Sequence, residues 1–588
     1  MNHDPKTRIR PAVGALMTVL LVIAAASPVL RAADETTAKV DKIFASWDKT
    51  TSPGMALAVI KDGKIVYERG YGMAKLEDGI VNTPEKVFDI GSVSKQFTAA
   101  CVAMLVRDGR VRVEDDIRKY LPEMPAYEKP VTVDHLLHHT SGIRDYNALL
   151  SLAGFRPESD SPTVEEAVEI IRRQKKLNYT PGDEYSYTNS GFFLLSQIVE
   201  RVSGKSLNAF AQERIFKPLG MSKTLFQDDH TQIIKDRATG YTQAEGGGGF
   251  KINMSNWDET GDGNVYTTVR DLYLWDQAFY TGALGKDLTD MLQTTGVLNS
   301  GKAIDYAWGL VVTDHKGLKV VEHGGAWVGF RAAIARFPEQ KFSVVILANL
   351  DSVDPSGLAF RVADIYLAEE LKGAAKGAEK GGAGAAADGG NAAKAEAPKA
   401  EPFAVPKAEL EALVGNWEDV GFGQWLALSM KDEKLMAALG GRNFTLKPIA
   451  PGKFVAAERA DVELEFKAAD KGKAATGRMT VGKSLEFRFA KAAPLKDMSA
   501  AEMAGYTGTY VSEELLDAKY VLKVEKDTLV LKMRDVPRAE LKAMAPDKFT
   551  VPGYGLNIEF VRGQGGKVTG FTVSVGRAAG IAFARTPR

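Results

Sequence analysis

One segment decides how this chain can fold. Residues 372–402 are almost entirely Ala, Gly, Lys and Glu, and they contain no large apolar residue. Such a run cannot bury a core, so a flexible linker is expected, assigned to 372–405. It divides the 588-residue chain unequally. A chain of this length exceeds one hydrophobic core, and about two to four domains are expected.

The part before the linker, 36–371, mixes strands and helices. "MALAVIKDGKIVYERGYG" (55–72) reads as two strands around a Lys61-Asp62-Gly63 turn. "KQFTAACVAMLVRDGR" (95–110) reads as a helix with Gly109 near its end. Two hairpins come late in the region, 308–325 turning at His315-Lys316-Gly317 and 332–350, before a closing helix at 357–371. Strands at both ends with helices between imply an α+β domain whose antiparallel sheet is assembled from N- and C-terminal pieces and flanked by helices.

The part after the linker repeats itself. "LKPIAPGKF" (446–454) returns as "LKAMAPDKF" (541–549), "VELEF" (462–466) as "LNIEF" (556–560), and "FAK" (489–491) as "FAR" (583–585). All three pairs stand at nearly the same offset, which marks a duplicated module, 406–494 and 495–588. Each copy alternates short apolar strands with Gly-rich turns. Two small all-β barrels are expected, since closure removes exposed strand edges. Neither copy shows a cluster of catalytic residue types.

Bulk properties exclude several functions. Lys+Arg and Asp+Glu both number 75, so no overall basic field draws nucleic acid to the chain. The single cysteine, Cys101, rules out an intramolecular disulfide and a Cys-x-x-Cys site. It lies in an apolar helix and reads as a buried thiol. At the N-terminus, Lys6, Arg8 and Arg10 precede an apolar run, Ala12 to Ala26, and then small residues including Ala32 and Ala33. That is the layout of a secretory signal peptide over 1–33. Leu30 and Arg31 are poor partners for a cut after Ala32 or Ala33, so the cleavage point stays open. A periplasmic or secreted protein is expected. The alternative is a protein anchored by an uncleaved N-terminal segment, against which Pro28 and the shortness of the run argue.

Three motifs carry candidate chemistry. In "FDIGSVSKQFTAA" (88–100), Ser92 stands three residues before Lys95 at a helix start. Positions i and i+3 share a face, so Lys95 can reach the Ser92 hydroxyl. A bare Ser-x-x-Lys is weak evidence, and Ser46-Trp47-Asp48-Lys49 is a second copy. The bland reading makes Ser92 a helix cap and Lys95 a solvated lysine. Yet the helix dipole disfavours a charged lysine in the first turn, and a base there has to be neutral. Tyr187-Thr188-Asn189 supplies a phenol for proton transfer and an amide for a substrate; alternatively, Asn189 simply starts a helix. His323-Gly324-Gly325 ends a strand, and its glycines allow close approach of a ligand. The N–H groups of Ser92 and Ala326 are candidates for an oxyanion hole. His315-Lys316-Gly317 is a rival His-x-Gly, but it falls at a turn, where Gly is expected anyway.

The order Ser-x-x-Lys, Tyr-x-Asn, His-x-Gly resembles that of the penicillin-recognising serine hydrolases. The versions here look most like the branch of class C β-lactamases, D-aminopeptidases, D-Ala-D-Ala carboxypeptidases and related esterases. "LLHHTSGI" (136–143), "GDGNVYTTVRDLYLWDQAF" (261–279) and "SVVILANLD" (343–351) agree with it. The resemblance covers about 36–371. It implies a β-lactamase-like domain with an added helical subdomain, and no metal or organic cofactor. It makes Ser92 the acylated nucleophile, with Lys95 and Tyr187 sharing proton transfer. Asn189, His323 and Gly325 contact the substrate, and Ser92 and Ala326 hold the oxyanion. His323 stands where β-lactamases of this class carry lysine. A neutral imidazole is a poorer carboxylate partner, which favours peptidase, amidase or esterase activity over β-lactam hydrolysis. The His135, His138 and His139 cluster suggests zinc by spacing, but the resemblance makes His139 a structural loop residue.

A hydrolase followed by two lipocalin-like barrels resembles the D-aminopeptidase architecture, in which a barrel loop shapes the cleft. The long linker departs from it and leaves the barrels free to sit far from the site, so no barrel residue is assigned a role. The expectation is an exported serine hydrolase acting on a small amide, peptide or ester, most like the D-aminopeptidase and esterase members. The alternatives are a β-lactamase or D-Ala-D-Ala carboxypeptidase and, in another class, an idle ligand-binding protein on the same fold. The partner is a small molecule or short peptide, with no nucleic acid and no membrane span once the leader is removed.

Overall fold

The computed structural model describes residues 28–380, 405–419, 424–439, 442–468, 475–481, 485–493, 498–534, 536 and 538–587. Most of the expected N-terminal leader and most of the expected linker therefore lie outside the described residues. The opening of the Ala/Gly-rich segment is helical, within Ala368–Lys380. Among the described residues no helix is long and apolar enough to cross a membrane.

Strands β1 (Met55–Lys61), β2 (Lys64–Tyr71), β3 (Val311–His315), β4 (Leu318–Trp327), β5 (Phe330–Phe337) and β6 (Phe342–Ala348) form one sheet in the order β3-β4-β5-β6-β1-β2. All its pairs are antiparallel, and β1 joins β6 with Met55 opposite Ala348. The α+β class and the assembly from both ends agree with the sequence reading. Strand β1 has no polar alternation because both its faces are covered. Ala56, Ala58 and Ile60 enter one core, while Met55, Leu57 and Val59 enter another.

Four helices build the surroundings of the site: α1 (Lys95–Arg107), α2 (Asn189–Ser203), α3 (Val269–Thr281) and α4 (Pro355–Tyr366). Helix α4 covers β5 and β6 on one face, and α3 covers β1 and β6 on the other. Helix α1 is buried from Lys95 to Leu105, Cys101 included, and packs against α2. The shorter helices Val133–Leu137, Tyr146–Ala153 and Val164–Arg172 extend this helical side.

Beyond the linker, the first module is a closed eight-stranded barrel from Gly415–Asp419 to Leu485–Lys491. Its interior is filled by Trp417, Leu426, Phe454, Phe466 and Phe489. The second is a nine-stranded, nearly closed sheet. The repeat falls on equivalent hairpins, Arg442–Ala450 with Lys453–Ala456 and Lys542–Ala545 with Lys548–Val551. Each carries a register shift near its turn.

The second module is docked on the first domain, contrary to the expectation that the barrels are free to sit far from the site. Its Tyr510, Tyr520, Phe571 and Phe583 belong to the same continuous core as α1 and α2. The Tyr520 hydroxyl donates to the Leu152 carbonyl at 2.8 Å. Arg144 pairs with Glu514 at 3.0 Å, their side chains 2% and 8% exposed. A buried pair of this kind fixes geometry, because neither charge tolerates losing its partner.

Candidate active site

Backbone contact builds the site. Gly91 has φ +49°, held by an Asp89 carboxylate that accepts its N–H at 2.8 Å. A Cβ on Gly91 would lie 2.7 Å from the Ala326 nitrogen, and one on Gly325 would lie 1.9 Å from the Ile90 carbonyl oxygen. Only glycine at both places lets β4 run against the turn before α1. That approach brings Ser92 and Ala326 to one cleft.

Ser92 sits in a single 3-10 turn, Gly91–Ser94, and Lys95 opens α1. Side chains three apart eclipse in a 3-10 turn, which aligns the two groups. Lys95 is fully buried. Its Nζ lies 3.1 Å from Ser92 Oγ, 2.9 Å from Asn189 Oδ1 and 2.7 Å from the Asp262 carbonyl oxygen. Burial lowers the Lys95 pKa; the Asp262 carboxylate opposes this, and the Arg577 guanidinium adds to it. The two carbonyl oxygens can only accept. A neutral Lys95 keeps both of those bonds and turns its lone pair to the Ser92 hydroxyl, which can donate. Ser46 and Lys49, the decoy pair, are exposed.

Tyr187 packs beneath, its ring 4.9 Å from Lys95 Nζ. Burial raises its pKa, and the neighbouring Ser92 hydroxyl pulls it back. Its own hydroxyl makes no hydrogen bond of normal geometry among the described residues. Asn189 begins α2, and its N–H donates to the Asp145 carboxylate at 2.7 Å. The same carboxylate accepts from Ala148 N at 3.1 Å, so Asp145 caps two helices and fixes where Asn189 points.

His323 is placed differently from the substrate contact expected of it. Nδ1 donates to the Gly324 carbonyl at 2.6 Å, which leaves Nε2 to accept from the Tyr306 hydroxyl at 3.0 Å. Burial and nearby Lys95 push its pKa down to about 4, so the ring is neutral with both nitrogens engaged. Each histidine of the 135–139 cluster has at least one ring nitrogen engaged by the protein. His135 Nδ1 accepts from Thr132 N, His138 lies between the Asp134 and Thr294 carbonyls, and His139 Nδ1 accepts from Thr188 N. His139 supports Tyr187, with their ring centroids 4.2 Å apart.

Several residues at the site escape the sequence reading. Asp145, Asp262 and Tyr306 hold the positions of named residues. Asp262 lies in the Gly-rich stretch 261–279, where a local signal exists; Asp145 and Tyr306 carry none. Arg577 comes from the second module. Its guanidinium lies 4.8 Å from the Tyr187 ring centroid and 3.8 Å from the Asp145 carboxylate. Its carbonyl accepts from Asp145 N at 3.2 Å and from Asn178 Nδ2 at 2.9 Å.

The fold and this Ser-Lys-Tyr cluster define a β-lactamase-like protein. The chain belongs to the Beta-lactamase family, whose profile matches residues 40–367. It is 33% identical over 333 residues to a D-aminopeptidase of Brucella anthropi, covering 55% of this chain and 62% of that one. It is 31% identical to a D-aminopeptidase of Gluconobacter oxydans, covering 50% and 56%. The chain thus spans about six tenths of the length of these relatives. In fold it is similar to the octameric penicillin-binding protein homologue from Pyrococcus abyssi. The TM-score is 0.52 at 24% identity, over 78% of this chain and 99% of that one.

Proposed function

We propose that the chain is a serine hydrolase that cleaves a small amide, peptide or ester through an acyl-enzyme on Ser92. The observation that carries this reading is the buried Lys95 amine, 3.1 Å from the Ser92 hydroxyl and held by two groups that can only accept. Ser92 Oγ attacks the substrate carbonyl carbon and its proton passes to Lys95. The Ser92 and Ala326 N–H groups take the developing oxyanion. Lys95 and Tyr187 deliver the proton to the departing amine or alkoxide as its bond to carbon breaks. Water then attacks the ester, giving its proton back through the same groups, and releases the acid and free Ser92. Asn189 holds the acyl side. The neutral, engaged His323 supports an amidase or esterase over an enzyme that grips a substrate carboxylate. The D-aminopeptidase relatives support the same direction.

Intact-mass analysis after fluorophosphonate treatment tests the reading. Wild type and Ser46→Ala should each gain one adduct, and Ser92→Ala none. A folded wild type that stays unlabelled would overturn it. The basic and apolar leader supports a periplasmic or secreted location. Recovery of chains in the cytoplasm of an expressing cell, with their N-terminus intact, would count against export.

A further inference from the structure

The cleft that holds Ser92 has one wall that carries buried polar groups without hydrogen-bond partners among the described residues. It is the segment Trp257–Asn264, pinned by the Asn264 side-chain amide, which donates to the Trp257 and Glu259 carbonyls at 2.9 and 3.0 Å. Glu259 is 3% exposed, yet neither carboxylate oxygen has a hydrogen-bond partner among the described residues. The same holds for the Asn147 side-chain oxygen and the Trp257 indole nitrogen. All of these residues line the cleft together with Ser92. Asp262 lines it too; the Tyr146 hydroxyl donates to its carboxylate at 3.0 Å, and the carboxylate exerts an electrostatic pull on Lys95. The Trp257 and Trp327 rings stand 5.5 Å apart beside these groups.

A carboxyl kept only for structure would have a partner, because leaving a buried polar group without one is unfavourable. Glu259 has instead the surroundings of a group awaiting one. Burial pushes its pKa up to about 8, and the charges of Asp262, Asp258 and Glu166 push the same way. Two carboxyls, an amide oxygen and aromatic rings are complementary to a cation that can donate hydrogen bonds. A substrate carboxylate would be repelled here, and an N-acylated amine would supply too few donors and no charge.

We propose that Glu259, with Asp262 and the Asn147 amide oxygen, forms a subsite for an ammonium group on the acyl part of the substrate. The inference rests on the acyl-enzyme reading and narrows it to aminoacyl amides and esters with a free amine. On binding, the Glu259 carboxyl loses its proton to solvent and the ammonium keeps its own, so charge balances within the wall.

Two measurements on the full chain test this. In the first, wild type and Glu259→Gln are assayed with the p-nitroanilides of alanine (both enantiomers), N-acetylalanine and propionic acid. Wild type should favour at least one free-amine substrate over both neutral ones by about 10- to 100-fold in kcat/KM. Glu259→Gln should lose most of that preference through KM and leave the propionyl substrate and fluorophosphonate labelling unchanged. Equal handling of all substrates by wild type, or an equal loss on all of them in Glu259→Gln, would overturn the subsite and leave the hydrolase reading standing. The second needs no turnover. Calorimetric titration with alaninamide at pH 7, in two buffers of different ionisation enthalpy, should show binding with proton release in wild type. It should show weaker binding without release in Glu259→Gln, and none with propionamide. Alaninamide that binds wild type and Glu259→Gln alike, or fails to bind wild type, would overturn the subsite even if no substrate is cleaved.

Discussion

The two C-terminal modules share recurring sequence segments, but they hold different positions in the molecule. The first closes on its own core around Trp417 and Phe466. It reaches the second module through Asn416, whose amide donates to the Met544 carbonyl at 3.4 Å, and through an ion pair of Glu418 with Lys548. The second module shares its core with the hydrolase domain and places Arg577 over Tyr187. Strand pairing was kept in both copies. What differs is which outward groups found something to dock on: Glu514 met Arg144, and the hairpin carrying Arg577 met Asp145 and Asn178. The second module thus reaches the site through a few positions on its surface.

The contrast can be broken most forcefully at the buried ion pair. Glu514→Leu leaves Arg144 buried and unpaired, and should cost about 3–5 kcal/mol in urea unfolding. It should also open the 498–587 module to limited proteolysis and lower kcat/KM further than any change at Arg577. The double variant Arg144→Leu/Glu514→Leu should recover most of the lost stability. If Glu514→Leu behaves like Glu418→Leu, the two modules are docked no differently.

Arg577→Ala tests the contact with the catalytic groups. Losing a cation over a ring costs about 0.5–1 kcal/mol at an exposed site, so a fall of about two- to five-fold in kcat/KM is expected. The pH profile gives a sharper readout. The nearby positive charge helps hold the Lys95 pKa down. Activity needs neutral Lys95 and so rises with pH. Removing Arg577 raises the Lys95 pKa and should move the acid limb to higher pH, by less than about one pH unit. An unchanged limb would reduce Arg577 to a packing role.

The smallest effect on hydrolysis is expected from the largest hole in the first module. Trp417→Ala empties the centre of its barrel and should destabilise that module by about 3–5 kcal/mol in a thermal scan. kcat/KM should stay within about two-fold, since distant sites act additively. A large loss of activity would mean that the first module is coupled to the site after all.

Legibility in the sequence tracks the range of the interaction. The sheet is legible because each hairpin is local: a turn at Lys61–Gly63 or His315–Gly317 between apolar strands is visible within twenty or so residues. Ser92 and Lys95 are legible for the same reason, as neighbours on one turn. Asp145 and Arg577 are not, since each acts on a group far away in sequence; Tyr306 stands only 17 residues before His323, but nothing in its own surroundings marks it. His323 stands out in the sequence but its partner Tyr306 does not, and so it reads as a substrate contact when its ring is already committed. Glu259 precedes a Gly-rich stretch that stands out for its glycines. Its lack of a partner is a property of packing, and no single segment displays that.

The pairing of β1 with β6 also sets a schedule for synthesis. The N-terminal hairpin leaves the ribosome long before residues 342–348 exist to cover its edge. At about 5–20 residues per second, that edge stays unpaired for about 15–60 s. An apolar strand exposed for so long invites pairing with other chains. The hydrolase sheet can therefore close only after residue 348 has been made, and Arg577 reaches the site only once the second module has followed.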